Sequence, residues 1–119
     1  MVLVDDILSY HFDFHGVVDF VFDVDFRTGH LVTKYDYYFD IDTTVDAQFL
    51  WDLARMIDRA EIWYWSPRVP DGKGLDELPW HSKLVLREQT YEIDGLGDHN
   101  SGFTDFLENL MDLGRAFIL

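Results

Sequence analysis

Apolar and polar residues alternate through the first third of the chain. Tyr10, Phe12 and Phe14 alternate with Ser9, His11 and Asp13, and Val18, Phe20, Phe22, Val24 and Phe26 with Asp19, Val21, Asp23 and Asp25. A third run sets Leu31, Thr33, Tyr35, Tyr37, Phe39 and Ile41 against Val32, Lys34, Asp36, Tyr38, Asp40 and Asp42. Successive strand side chains point to opposite faces, so this period of two predicts a sheet with one buried face. The three runs predict an antiparallel meander.

Turn chemistry suggests a register. A two-residue turn at Thr28-Gly29 pairs Phe26 with Leu31, Val24 with Thr33, Phe22 with Tyr35 and Phe20 with Tyr37, and sets Asp23 opposite Lys34. A three-residue turn at His15-Gly16-Val17 pairs Phe14 with Val18 and Phe12 with Phe20, and brings Asp13 opposite Asp19.

The period then changes. Val45, Phe49, Leu50, Leu53, Met56, Ile57 and Ala60 fill one arc of a helix expected over Val45–Arg59, capped by Thr43 or Thr44, with Trp51 outside that arc. Glu61–Trp65 reads as a strand ended by Ser66-Pro67, and residues 67–82, with three prolines and two glycines, as a long irregular connection. Lys83–Asp94 reads as one more strand, bulged where its apolar positions change parity between Leu86 and Tyr91. After a loop over Gly95–Asn100, Ser101 caps a helix with the stripe Phe103, Phe106, Leu107, Leu110, Met111, Leu113, Phe117 and Ile118. The expected fold is therefore α+β, in one domain over 1–119. It has an antiparallel sheet of about five strands, in the order β-β-β-α-β-β-α, with two helices on one face.

Charge changes the picture most. The formal net charge is −14, carried by 18 aspartates and 5 glutamates against 9 lysines and arginines. Residues 1–60 carry −8 and residues 61–119 carry −6, so the acidity runs along the whole chain. DNA, RNA and anionic membranes are polyanions and are excluded as direct partners; the charge favours a basic protein surface, a cation or simply solubility. With no cysteine, thiolate zinc sites and thiol nucleophiles are excluded. Asp5 and Asp6 stand where a secretory signal would be basic and then apolar, so the expected location is cytoplasmic.

Aspartate is depleted in strands, yet Asp13, Asp19, Asp23, Asp25, Asp36, Asp40 and Asp42 all fall on the face expected to point away from the core. Alternate residues of a strand lie about 6.6–6.8 Å apart. The Asp23/Asp25 and Asp40/Asp42 pairs thereby set carboxylates at a spacing comparable to neighbouring phosphates of a nucleic acid. Such rows are a solvated sheet face, an imitation of a polyanion or a cation-binding surface. The second group of interest is Trp51, Trp63, Tyr64, Trp65 and Trp80 with Arg68, residue types enriched at binding hot spots. Trp63 and Trp65 share a face in the strand reading, and are either interface anchors or covered by the 67–82 loop.

Catalytic and metal chemistry has less to stand on. His11, Asp13 and His15 form a conceivable metal trio on one strand, but the turn assigned to His15 removes it from that face. No calcium-loop spacing, nucleophile elbow or phosphate-binding glycine loop occurs, so no cofactor, metal or catalytic residue is expected. In size, acidity and lack of cysteine the chain resembles small phage-encoded inhibitors, such as anti-CRISPR and anti-restriction proteins, and the immunity proteins of bacterial toxins. That resemblance implies a non-enzymatic inhibitor that occludes a basic, nucleic-acid-binding surface of an effector protein, with toxin neutralisation as the alternative. The expected contact residues are Asp19, Asp23, Asp25, Asp36, Asp40, Asp42, Trp63, Trp65, Arg68 and Trp80. A small metal-binding domain or enzyme is a different class, and a structural component of a larger assembly is a third.

Overall fold

The alternating runs do form strands. A computed structural model describes residues 4–15, 19–36, 39–65, 79–96 and 102–115. Among these, β1 (Ile7–Phe14), β2 (Phe20–Asp25), β3 (His30–Tyr35), β4 (Phe39–Thr44), β5 (Pro79–Leu86) and β6 (Thr90–Leu96) make one open antiparallel sheet. The strand order across it is β4-β3-β2-β1-β5-β6. Helices α1 (Ala47–Ala60) and α2 (Phe103–Arg115) lie on the same face: Phe22 stacks on Phe49 of α1, and Tyr10 meets Phe106 of α2 edge-on. The fold is α+β in the order β-β-β-β-α-β-β-α, with one strand more than expected.

Between sheet and helices, Tyr10, Phe12, Phe20, Phe22, Val24 and Leu31 from the strands and Leu53, Ile57 and Leu110 from the helices lose all contact with solvent. Two polar side chains share that layer and both are satisfied. Thr33 donates to the Val21 carbonyl, and Ser82 hydrogen-bonds the Tyr10 phenol at 2.9 Å. Burial pushes the Tyr10 hydroxyl far above its ordinary pKa, so it stays a neutral hydroxyl.

Both meander registers differ from expectation by two residues. Phe20 pairs with Tyr35, Phe22 with Thr33 and Val24 with Leu31, around a four-residue turn at Phe26–Gly29. Asp23 therefore lies opposite Val32, not Lys34. The turn is held by Gly29 N–H donating to the Asp25 carbonyl, and by Arg27 N–H donating to the Asp25 carboxylate. Gly29 takes φ +78°, and its carbonyl accepts from Val45 N–H, which ties the hairpin to the entrance of α1. On the other side Phe12 pairs with Phe22 and Asp13 with Val21, so Asp13 does not oppose Asp19. A shift of two residues leaves every side chain on its own face, and the hydrophobic pattern permits either register.

The single third strand is in fact the β3–β4 hairpin. Tyr35 pairs with Phe39, which leaves an odd number of residues between the two strands, the first of them Asp36 with φ +48°. An odd-length turn returns the chain with the same parity, so the alternation runs through it unbroken. The inverse holds for Lys83–Asp94, which is no bulged strand: Val85 pairs with Thr90 across four residues, and the even-length turn reverses parity. Asp46, rather than Thr43 or Thr44, caps α1, its carboxylate accepting from Phe49 N–H at 2.9 Å. Ser101, Phe117 and Ile118 lie outside the described residues.

Glu61–Trp65 is not a strand. Glu61 ends α1 in the left-handed region at φ +51°, and Ile62–Tyr64 form one 3₁₀ turn. Residues three apart eclipse in such a turn. Ile62 and Trp65 consequently point inward together and are buried, while Tyr64 is 75% exposed. The bond from Trp65 N–H to the Ile62 carbonyl closes the turn at 3.0 Å.

Candidate functional site

The face of the sheet opposite the helices is built by the other half of each alternation. Among the described residues none of its outward side chains is fully buried. Three lateral rows cross all six strands. The first runs Asp40, Lys34, Val21, Asp13, His81, Asp94; the second runs Asp42, Val32, Asp23, His11, Lys83, Glu92. The third runs Thr44, His30, Asp25, Ser9, Val85, Thr90. Asp23, Asp40 and Asp42 occupy this face as expected. Asp19 stands just before β2 and Asp36 in the turn after β3, where the Asp36 N–H donates to the Asp19 carbonyl at 2.8 Å.

Basic side chains and imidazoles interleave these acids more thoroughly than a phosphate row would allow. Asp25 pairs with Arg27, whose guanidinium hydrogen bond holds its carboxyl below the usual range. Asp40 faces Lys34 at 3.9 Å, and Asp42 receives His30. His11 spans two carboxylates, with Nδ1 2.8 Å from Asp23 and Nε2 2.7 Å from Asp13. His15 reaches the other oxygen of Asp13 at 2.9 Å and Asp19 at 3.4 Å. His81 sits between Asp94 at 2.6 Å and Glu92 at 3.1 Å.

These histidine–carboxylate contacts were not visible in the sequence as pairs. The His11-Phe12-Asp13-Phe14-His15 spacing did flag three of the groups, and they do meet. Their nitrogens approach opposite oxygens of Asp13 instead of converging on a point, and among the described residues no group of three or more ligating side chains is arranged to hold a metal ion. His81, assigned to a loop, is on β5, and only the strand register brings it to Glu92 and Asp94.

The tryptophans expected at an interface fall elsewhere. Trp65 is 5% and Trp80 2% exposed, both inside an aromatic cluster with Phe12, Phe103 and Phe106. Trp65 and Trp80 meet edge-on at 5.4 Å, and Trp80 lies 4.9 Å from Phe103. They are core residues and not surface anchors, because the 3₁₀ turn and the β5 register aim both rings inward. Trp63 is half-buried against the core, and Arg68 lies outside the described residues. The more exposed rings are Trp51, 52% exposed on α1 with the Arg55 guanidinium 5.4 Å from its ring centre, and Tyr64.

No family model matches the chain, and no curated protein matches its sequence. Among the described residues, no helix is long and apolar enough to cross a membrane.

Proposed function

We propose that this chain is a non-enzymatic binding protein that lays the open face of its sheet over a basic surface of a partner protein, and that the covered surface is one that binds nucleic acid. One observation carries the reading: Asp23, Asp25, Asp40 and Asp42 stand on a single open sheet face at spacings fixed by the strands, with Asp19 and Asp36 at the strand ends beside them. A rigid sheet holds these carboxylates without the entropy cost that a flexible acidic tail would incur on binding. Its field, drawn from a net charge of −14, steers a cationic partner toward it. Inhibition follows from occlusion, and the expected place of action is the cytoplasm.

The interleaved histidines and lysines shape this reading. Lys34 and Lys83 break the face into acidic islands, so the partner's cations must match a pattern rather than a uniform charge.

The test is competition. A partner captured on the immobilised chain should, once purified, be displaced by duplex DNA, and its affinity for the chain should fall as salt rises. A purified partner that binds DNA and the chain simultaneously and independently would sink the occlusion reading.

A further inference from the structure

The contacts around His11 and His15 join into a single chain of five groups on β1, β2 and the two residues that flank these strands, His15 and Asp19: Asp23, His11, Asp13, His15, Asp19. The successive nitrogen-to-oxygen distances are 2.8, 2.7, 2.9 and 3.4 Å. Asp13 is the central acid and the least exposed of the three, with 19% of its side chain accessible. A neutral imidazole carries one N–H and one lone pair, whereas an imidazolium donates from both nitrogens. Each imidazole here has a carboxylate oxygen at both ends. With both rings neutral, two of the four contacts set a lone pair against a carboxylate; with both rings charged, all four are hydrogen bonds or ion pairs.

We infer that this five-membered chain is a proton-operated gate on the partner-binding face. Charged, the imidazoles hold Asp13, Asp19 and Asp23 in internal pairs and cancel much of the local field. On losing their protons they release the three carboxylates to the lysines and arginines of a partner. The inference rests on the basic-partner reading above, and it adds a condition to it: binding strengthens as pH rises through the histidine range and is accompanied by proton release.

The surroundings set the sign. His11 faces Asp13 on its own strand, Asp23 on β2, and Lys83 and His81 on β5, with the His81 ring centre at 5.9 Å. Lys83 is in turn opposite Glu92 of β6, and His81 is held by Glu92 and Asp94. Asp25, farther along β2, is occupied by Arg27. His15 faces Asp13 and Asp19, and Asp19 is tied through its carbonyl to Asp36. Among the described residues, carboxylates therefore outnumber cations around both rings. The His11 imidazole accordingly titrates above its ordinary range, chiefly through the Asp23 hydrogen bond, with partial burial opposing and Asp13 adding to the rise.

The test uses the full chain, a synthetic arginine oligomer as cationic probe, and the double variant His11→Gln/His15→Gln, which keeps polar side chains that do not titrate. Two charges gained beside a bound cation should cost on the order of ten-fold in affinity. The parent is expected to bind the oligomer about that much more tightly at pH 8 than at pH 6, and the double variant to lose most of that difference. Calorimetry of the parent near pH 7 in buffers of different ionisation enthalpy should register proton release. Oligomer binding with the same pH dependence in parent and variant overturns the gate and leaves the basic-partner reading standing. Absence of oligomer binding at both pH values defeats that reading, and the gate falls with it. An NMR titration separates these outcomes from misfolding: dispersed spectra of the double variant certify the fold, and the His11 ring of the parent should titrate above the ordinary histidine range.

Discussion

Trp80 and Gly95 face each other across β5 and β6, and the indole occupies the space a side chain at position 95 would need. A Cβ on Gly95 would stand 2.1 Å from Cζ2 of Trp80. The glycine lets the ring lie flat over the sheet, where it also meets Trp65 and Phe103. Gly95→Ala must displace a ring that is 2% exposed and packed on several sides, so it should destabilise by about 1–3 kcal/mol or more, as overpacked cores do. Denaturant unfolding followed by tryptophan fluorescence would measure it. A midpoint unchanged from the parent would mean that Trp80 is not fixed over residue 95.

The buried Tyr10–Ser82 hydrogen bond predicts an asymmetry between its two deletions. Ser82→Ala leaves the phenol of a fully buried tyrosine without this partner and should cost about 1–3 kcal/mol. Tyr10→Phe leaves a serine hydroxyl that can rotate toward a backbone carbonyl, so its cost should be smaller. The double variant should recover part of the Ser82→Ala loss. Urea midpoints of the three variants at constant m-value decide the point.

Asp46 caps α1 where the preceding strand ends at Thr44. Asp46→Ala removes the bond to Phe49 N–H and should cost about 0.5–2 kcal/mol. Thr43→Ala and Thr44→Ala, which remove no cap, should cost less than Asp46→Ala in the same thermal melt.

Stability should also depend on pH through His11. Its imidazole binds a proton more tightly in the fold than in the unfolded chain. That contribution is fully present below the unfolded value, about pH 6.5, and is lost as pH rises through the higher folded value. The parent should therefore melt at a slightly higher temperature at pH 6 than at pH 8, and His11→Gln should narrow the gap. The effect is modest because His11 retains 30% side-chain exposure. A parent that melts higher at pH 8, with His11→Gln unchanged, would contradict the Asp23–His11–Asp13 geometry.

The buried half of the sheet was legible because alternation assigns faces without knowing partners. Tyr10, Phe12, Phe20, Phe22, Val24 and Leu31 are all inside as the pattern predicts. What alternation cannot fix is which residue lies beside which. Shifts of two residues at both meander hairpins left the faces intact and changed each cross-strand pair, so Lys34 lies opposite Val21 instead of Asp23, and it meets Asp40 only through the β3–β4 hairpin. The turn at Asp36 was hidden by its odd length, and the turn after Leu86 passed for a bulge because of its even one. Glu61–Trp65 was misread because five residues hold too few periods to separate two from three. The acids of the candidate face were visible one by one, but their histidines became partners only through the register.

The last prediction separates a functional acidic face from a solvated one. Changing Asp23, Asp25, Asp40 and Asp42 to Asn preserves shape and removes four charges. It also removes exposed pairs with His11, Arg27, Lys34 and His30, which contribute little where solvent screens them, while relieving repulsion among the remaining acids. These terms oppose one another, so the variant should stay folded with a melting temperature close to the parent's. If the face steers a basic partner, association with that partner should slow markedly, and the salt dependence of the on-rate should flatten, because screening acts over about 8–10 Å near physiological ionic strength. Dissociation should change less where the replaced carboxylates sit at the rim of the contact. Trp51→Ala on α1, 52% exposed on the opposite side of the sheet, serves as the control and should alter neither rate. Stopped-flow association at two salt concentrations, with a thermal melt of each variant, gives the answer. A folded four-Asn variant that associates as fast as the parent at low salt would leave these aspartates as solvation alone, whatever else the chain binds.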